Sequence, residues 1–162
     1  MPPTLQQRVP GASFFFTVRL REAGSTLLTD HIASFGAALR AVRRRAPFHV
    51  DAWVVLPDHL HAMWTLPPGD VDYPQRWTAI KRAFSAALDA AGVTATLGSG
   101  TIWARRYRDL QVADMEEFAI LVDYIHQNPL RHGYCAKAVD WHWSSLHRHL
   151  ASGRAPPAHG AR

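Results

Sequence analysis

Two apolar, β-rich runs, Phe48 to Leu56 and His59 to Leu66, stand back to back with only Pro57-Asp58 between them. A proline followed by aspartate is turn chemistry, so the two runs are expected to close into a hairpin. Helix-like stretches flank this hairpin on both sides. On the N-terminal side, Ile32, Phe35, Leu39 and Val42 recur at helical spacing from Thr29 or Asp30, either a good N-cap, until Pro47. Beyond Pro67-Pro68-Gly69, the residues Trp77, Ile80, Phe84 and Leu88 mark a second helix from about Pro74 to Ala91, whose other side carries Lys81, Arg82 and Ser85. Outside the helices lie two further strand-like runs. Ser13 to Leu20 contains Phe14, Phe15, Phe16 and Val18 and stops at Glu22-Ala23-Gly24-Ser25, and Ile102 to Val112 carries Arg105, Arg106 and Arg108. The resulting βαββαβ order predicts an α+β protein with a ferredoxin-like antiparallel sheet and helices on one face. A further helix begins at Asp114, with Glu117 three residues on as a capping-box partner, and bears Phe118, Leu121, Val122 and Ile125. This C-terminal helix is expected to pack beside the core and to end near Asn128, before Pro129.

A chain of 162 residues holds one core of ordinary size. The expected division is an N-terminal extension over 1–12, one domain over 13–150, and a disordered tail over 151–162, where Gly, Pro and Ala dominate. No apolar run is long enough to span a membrane, and no signal-peptide layout opens the chain. Cys135 is the single cysteine, which excludes an intramolecular disulfide and fits a reducing cytoplasm. The formal charge is +5 and the pI about 10.0. Of 18 basic residues, only Lys81 and Lys137 are lysine. A GC-rich genome accounts for the ratio of Arg to Lys but not for the excess of positive charge, which points to a polyanionic partner.

Within this frame two short clusters carry chemistry. On a strand, residues two apart face the same side, so His59 and His61 can converge on one cation while Leu60 enters the opposite face. A pair of surface or hydrogen-bonded strand histidines is the competing reading, since the chain has ten histidines. On the last helix, Tyr124 and Asn128 are four apart and share a face at the rim of its apolar stripe. Taken singly, Tyr124 reads equally as a packing tyrosine and Asn128 as a helix C-cap before Pro129.

In combination these segments resemble a known family. The Val54-Val-Leu-Pro-Asp-His-Leu-His61 core, Ile80-Lys-Arg-Ala-Phe-Ser85, Ile102-Trp-Ala-Arg-Arg-Tyr107, the block Asp123-Tyr-Ile-His-Gln-Asn-Pro-Leu-Arg-His-Gly133, and Trp141-His-Trp-Ser-Ser145 look like successive blocks of the REP-associated tyrosine transposases. The resemblance covers roughly residues 13 to 150. It implies a divalent metal, Mg²⁺ or Mn²⁺, held by His59, His61 and Asn128, with Tyr124 as the nucleophile that forms a 5′-phosphotyrosine link to DNA. Zinc also suits a histidine pair. The implied substrate is single-stranded DNA at a REP-type hairpin, bound by a monomer, although more distant relatives share sites across a dimer. Arg105, Arg106, Arg108, Lys81, Arg82 and Arg131 are the candidate DNA contacts, each with a solvated surface role as the alternative. Three positions depart from the pattern: Asp58 stands where Asn is usual, Asp109-Leu110 where an Asp-His or similar polar pair is common, and His142 where Pro is common. A hairpin-binding protein without catalysis and a water-using phosphodiesterase are the rival readings.

Overall fold

The hairpin at Pro57-Asp58 is present, with β2 (His49–Val55) and β3 (His59–Thr65) pairing antiparallel across it. The structure, a computed structural model, describes residues 8–98 and 100–153. β1 (Ser13–Arg19) pairs with β3, and β4 (Arg108–Gln111) pairs with the other edge of β1, so the sheet order is β2-β3-β1-β4 with every neighbour antiparallel. This is the ferredoxin-like order expected from the sequence.

Two helices cover one face of the sheet: α2 (Ile32–Arg45) and α3 (Tyr73–Ala90). Their apolar stripes meet Phe14, Phe16, Val18, Leu60 and Trp64 of the strands, and the centre of that layer is the Trp64–Trp77 stack, with ring centroids 4.3 Å apart. Aromatic rings of this size each remove a large apolar area from water. The opposite face carries Phe15, Met63, Ala52 and Val54, and α4 (Met115–Arg131) closes it through Val122 and Ile125. A bulge at Asp51 shifts the β2 register between Val50 and Ala52, which sends Val50 and Trp53 to the α2 side and Ala52 and Val54 to the α4 side. The segment Trp143 to Ser145 then covers the outer edge of β2 through Val55 N–H to Trp143 O and Ser145 N–H to Trp53 O, ahead of α5 (Leu146–Ala151).

Three local expectations need correction. The predicted strand over 102–112 is a ladder only at Arg108–Gln111; Trp103 is buried against α3 and makes an isolated bridge to Leu20, so Arg105 and Arg106 lie on a loop. The first helix does not start at an Asp30 or Thr29 cap. A four-residue turn of helix, α1 (Leu27–Asp30), precedes α2, and Asp30 accepts a hydrogen bond from the Thr26 hydroxyl. Finally, α4 runs through Pro129 to Arg131, with His132 as its C-cap. The expected tail falls outside the described residues except for 151–153, and of 1–12 only 8–12 are described. No helix among the described residues is long and apolar enough to cross a membrane.

Candidate active site between the sheet and the last helix

Strand alternation puts Leu60 into the α2/α3 layer and His59 and His61 on the α4 face, where both are only 3% exposed. Each ring is held through Nδ1. His59 Nδ1 is 2.6 Å from Asp58 Oδ1, and the second Asp58 oxygen accepts the Gly24 N–H at 2.9 Å. His61 Nδ1 is 2.8 Å from the Thr17 hydroxyl on β1. With both Nδ1 atoms engaged, both Nε2 atoms are free, and they are buried without a hydrogen-bond partner among the described residues. The amide of Asn128 is in the same condition at both Oδ1 and Nδ2. The His59 and His61 ring centroids are 5.2 Å apart and the Asn128 side chain lies beside His61; buried polar atoms are nearly always paired, so four orphaned ones here require an explanation.

Asn128 reaches this place because α4 is anchored at its start. Asp114 accepts the Glu117 N–H at 2.8 Å, and the Glu117 carboxylate in turn accepts the Ala113 N–H at 2.6 Å. From that start Tyr124, Asn128 and Arg131 fall on one face at the four- and seven-residue spacing of a helix. Asn128 is 1% exposed inside the helix and is therefore not a C-cap. Half-buried Tyr124 lies edge-on to His61, with ring centroids 5.4 Å apart, and edge-on to Phe15. The Arg131 guanidinium lies over the Tyr124 ring, 4.9 Å from its centroid.

Burial fixes the protonation of the pair. His61 is pushed down to about 3, first by burial and then by electrostatic repulsion from the neighbouring His59, Arg19 and His132, with the nearby Asn128 amide acting the other way. His59 is also lowered by burial, against the pull of Asp58. Both rings are neutral at pH 7; His59, donating Nδ1–H to the Asp58 carboxylate, keeps a lone pair on Nε2 for a cation, and His61 does so in the tautomer that donates Nδ1–H to the Thr17 hydroxyl. His126, on the far side of α4, is lowered to about 4 by burial and hydrogen-bonds the Ser145 hydroxyl at 2.8 Å. An unfolded histidine titrates near ~6.5, so the unfolded chain takes up protons that the native chain does not. Stability without added metal is therefore expected to be full above pH 6.5 and to fall below it, by up to about 1.4 kcal/mol per pH unit for each such histidine. Urea midpoints measured in EDTA between pH 7 and pH 4 check this; a midpoint that does not move contradicts it.

The expected basic contacts divide by location. Arg108, whose Cα pairs with Thr17, stands on the same face as His61, and Arg131 is at Tyr124. Lys81, Arg82 and Arg105 instead line a separate groove with Ser85 and Trp103 on the α3 side. Lys81 is partly withdrawn from solvent there, its ammonium 4.9 Å from the Tyr107 ring centroid, and burial lowers its pKa. Arg106 is exposed on the loop before β4. Three residues not singled out from the sequence belong to the site: Thr17, which orients His61; Arg19, exposed and paired in register with His59; and His132, whose ring centroid is 4.9 Å from that of His59. The available signal was the alternation Phe15, Thr17, Arg19 along β1, which shows that they share a face but not which face. Of the departures noted above, Asp58 has a structural role on His59, and Asp109 turns to the other face, where it accepts the Tyr73 hydroxyl.

The set fits a divalent cation. Among the described residues no three His, Cys, Asp or Glu side chains gather as a metal cluster; beside the two imidazoles, the buried polar group without a hydrogen-bond partner is the Asn128 amide. The Nδ1 contacts to Asp58 and Thr17 are the kind of outer support that orients a ligating histidine.

No family model matches the chain. Individual relatives do. A REP-associated tyrosine transposase of Escherichia coli strain K12 is 38% identical over 148 residues, which is 91% of this chain and 84% of the relative. A Haemophilus influenzae protein described in the same family terms is 33% identical over 143 residues, covering 85% of this chain and 81% of its own. Among solved structures, a REP-associated tyrosine transposase bound to a REP hairpin superposes with a TM-score of 0.85 at 36% identity, covering 100% of this chain and 93% of that one. On the strength of that identity over nearly its whole length, this chain belongs to the REP-associated tyrosine transposases.

Proposed function

We propose that this chain nicks and rejoins single-stranded DNA at REP-type hairpins, with Tyr124 as nucleophile and a divalent cation, Mg²⁺ or Mn²⁺, held by His59, His61 and Asn128. The observation that carries this reading is the convergence of four buried, unpartnered polar atoms beside a half-buried tyrosine. The relative seen bound to a REP hairpin supports the substrate class.

A phenol with an ordinary pKa near ~10 is mostly protonated at neutral pH, so it needs a cationic setting to attack efficiently. When bound, the metal would polarise the scissile phosphate and stabilise charge developing on its oxygens. Arg131 adds fixed positive charge over the Tyr124 ring, and Arg19 and Arg108 border the same face. Tyr124 Oη then attacks the phosphorus and gives up its proton. The bond from phosphorus to the 3′ oxygen breaks, that oxygen takes up a proton and departs as a 3′-hydroxyl, and the 5′-phosphate stays esterified to Tyr124. Attack by another 3′-hydroxyl reverses these steps and releases the tyrosine. One phosphoester is exchanged for another throughout, so no ATP is required.

Labelled hairpin oligonucleotides incubated with the protein and Mn²⁺ or Mg²⁺, then run on a denaturing gel, test the proposal. A metal-dependent shifted band, lost in Tyr124→Phe, is expected. Hairpin binding without any adduct would favour a non-catalytic binding protein, and cleavage that survives Tyr124→Phe would favour a water-using phosphodiesterase.

A further inference from the structure

We infer that His126 and Ser145 are positioning residues of the active site: their hydrogen bond sets the roll of α4 over the sheet and thereby the places of Asn128 and Tyr124. This rests on the function proposed above and deepens it, since neither residue touches the cation or the DNA in that mechanism. Both side chains are almost fully buried, and His126 Nε2 lies 2.8 Å from Ser145 Oγ. Ser145 is itself bolted to the edge strand: Trp53 N–H donates to its Oγ at 2.9 Å, and its own N–H donates to Trp53 O at 2.9 Å. One hydroxyl thus joins β2 to α4.

The neighbouring side of His126 is held as well. The His149 ring stands edge-on to it, with centroids 4.7 Å apart, and His149 Nε2 donates to Asp51 O at 3.0 Å, at the β2 bulge. Packing alone does not account for a histidine in this place. Its Nδ1 is buried without a hydrogen-bond partner among the described residues, a cost that an apolar ring of similar size would avoid. What an apolar ring could not supply is the bond to Ser145.

His126 is two residues from both Tyr124 and Asn128, which places it about 160° around the helix axis from each at 100° per residue. Between these flanks Val122 and Ile125 rest on the sheet. Apolar contact is non-directional, so it holds the helix down without fixing its roll. A hydrogen bond is directional, and anchoring one flank fixes the other. Side-chain tips stand about 5–6 Å from a helix axis, so a roll of about 10° carries the Asn128 amide by about 1 Å. Metal ligands tolerate about 0.2 Å, and a displacement of about 1 Å at a reacting group can cost about a hundredfold in rate.

The side-chain amide resonance of Asn128 in ¹⁵N-labelled protein, read in EDTA and without DNA, reports its placement directly. His126→Phe fills the space without the bond, whereas His126→Gln keeps an N–H that can meet Ser145. The resonance is expected to shift in the first and to stay at its wild-type position in the second. In the adduct assay, His126→Phe should raise the Mn²⁺ concentration for half-maximal rate about tenfold, the lower end of the range for groups that orient metal ligands, while hairpin affinity in EDTA stays at the wild-type value. Ser145→Ala should act in the same direction, and the double variant should move the midpoint no further than the larger single change, because the same bond is lost in all three. Val42→Ala, a truncation in the core under α2, controls for lost stability and should move neither readout. A resonance that stays in place in His126→Phe, no recovery in His126→Gln, an equal shift in Val42→Ala, or an unchanged Mn²⁺ midpoint in protein that forms the adduct would overturn the proposal. A wild-type protein that forms no adduct would instead remove the tyrosine chemistry, and the resonance would then decide the positioning role alone.

Discussion

Replacing His61 by alanine is expected to lower strand cleavage by about a thousandfold or more while hairpin affinity in EDTA stays close to wild type. In the proposed mechanism His61 serves the cation and not the DNA, in keeping with its 3% exposure, its Nδ1 tied to Thr17 and its Nε2 without a partner among the described residues. Lewis-acid stabilisation of a phosphoryl transition state is worth several kcal/mol, and about 4 kcal/mol corresponds to about three decades of rate. Mn²⁺ is expected to raise the melting temperature of the wild-type protein, and the same substitution should abolish that rise, because a ligand stabilises a fold only through sites it occupies. Single-turnover cleavage and metal-dependent melting check both halves. Wild-type cleavage by His61→Ala would remove the metal site from the mechanism.

The largest loss of stability is expected at Arg76, far from the chemistry. Its guanidinium is 5% exposed and forms a two-pronged pair with Asp70, at 2.7 and 3.1 Å, while its remaining N–H groups donate to the carbonyls of Ala46, Pro47 and Asp72. A single side chain thus joins the end of α2, the loop before α3 and α3 itself. Arg76→Ala leaves three carbonyls without this donor and Asp70 without its partner, at a cost of about 3–5 kcal/mol in urea denaturation. Arg76→Lys should recover only a small part, since an ammonium cannot span the same fork. A loss below about 1 kcal/mol in Arg76→Ala would contradict this account.

The fold was legible wherever a helical period or a short β-rich run was bounded by turn or breaker residues. The short β-rich runs of β1 and β3, bounded by turn residues and buried on both faces, and the 3.6-residue stripes of α2 and α3 fix the βαββαβ order, and Pro57-Asp58 supplies the hairpin. Legibility failed where one residue's burial overrode its neighbours' pattern. Trp103 anchors the stretch before β4 through its indole N–H to Lys81 O and Ser85, so a run that reads as continuous strand is mostly loop. Pro129 reads as a helix stop, yet it is buried against the rest of the fold and the helix continues to Arg131. In the site, the His59/His61 spacing and the Tyr124/Asn128 spacing could be read directly, because each lies within one element. Thr17, Arg19 and His132 could not. Their place depends on the β1 to β3 register and on how α4 ends over His59, which are properties of the tertiary arrangement and not of any local pattern.

Mapping the covalent attachment tests the central claim most directly. Four tyrosines are present, Tyr73, Tyr107, Tyr124 and Tyr134, so protease digestion of the protein–DNA adduct followed by mass spectrometry identifies the nucleophile without ambiguity. The expected result is one modified peptide, carrying the 5′-phosphate of the downstream DNA fragment on Tyr124. Attachment to any other tyrosine, or cleaved DNA bearing a 5′ end free of protein, would contradict the account.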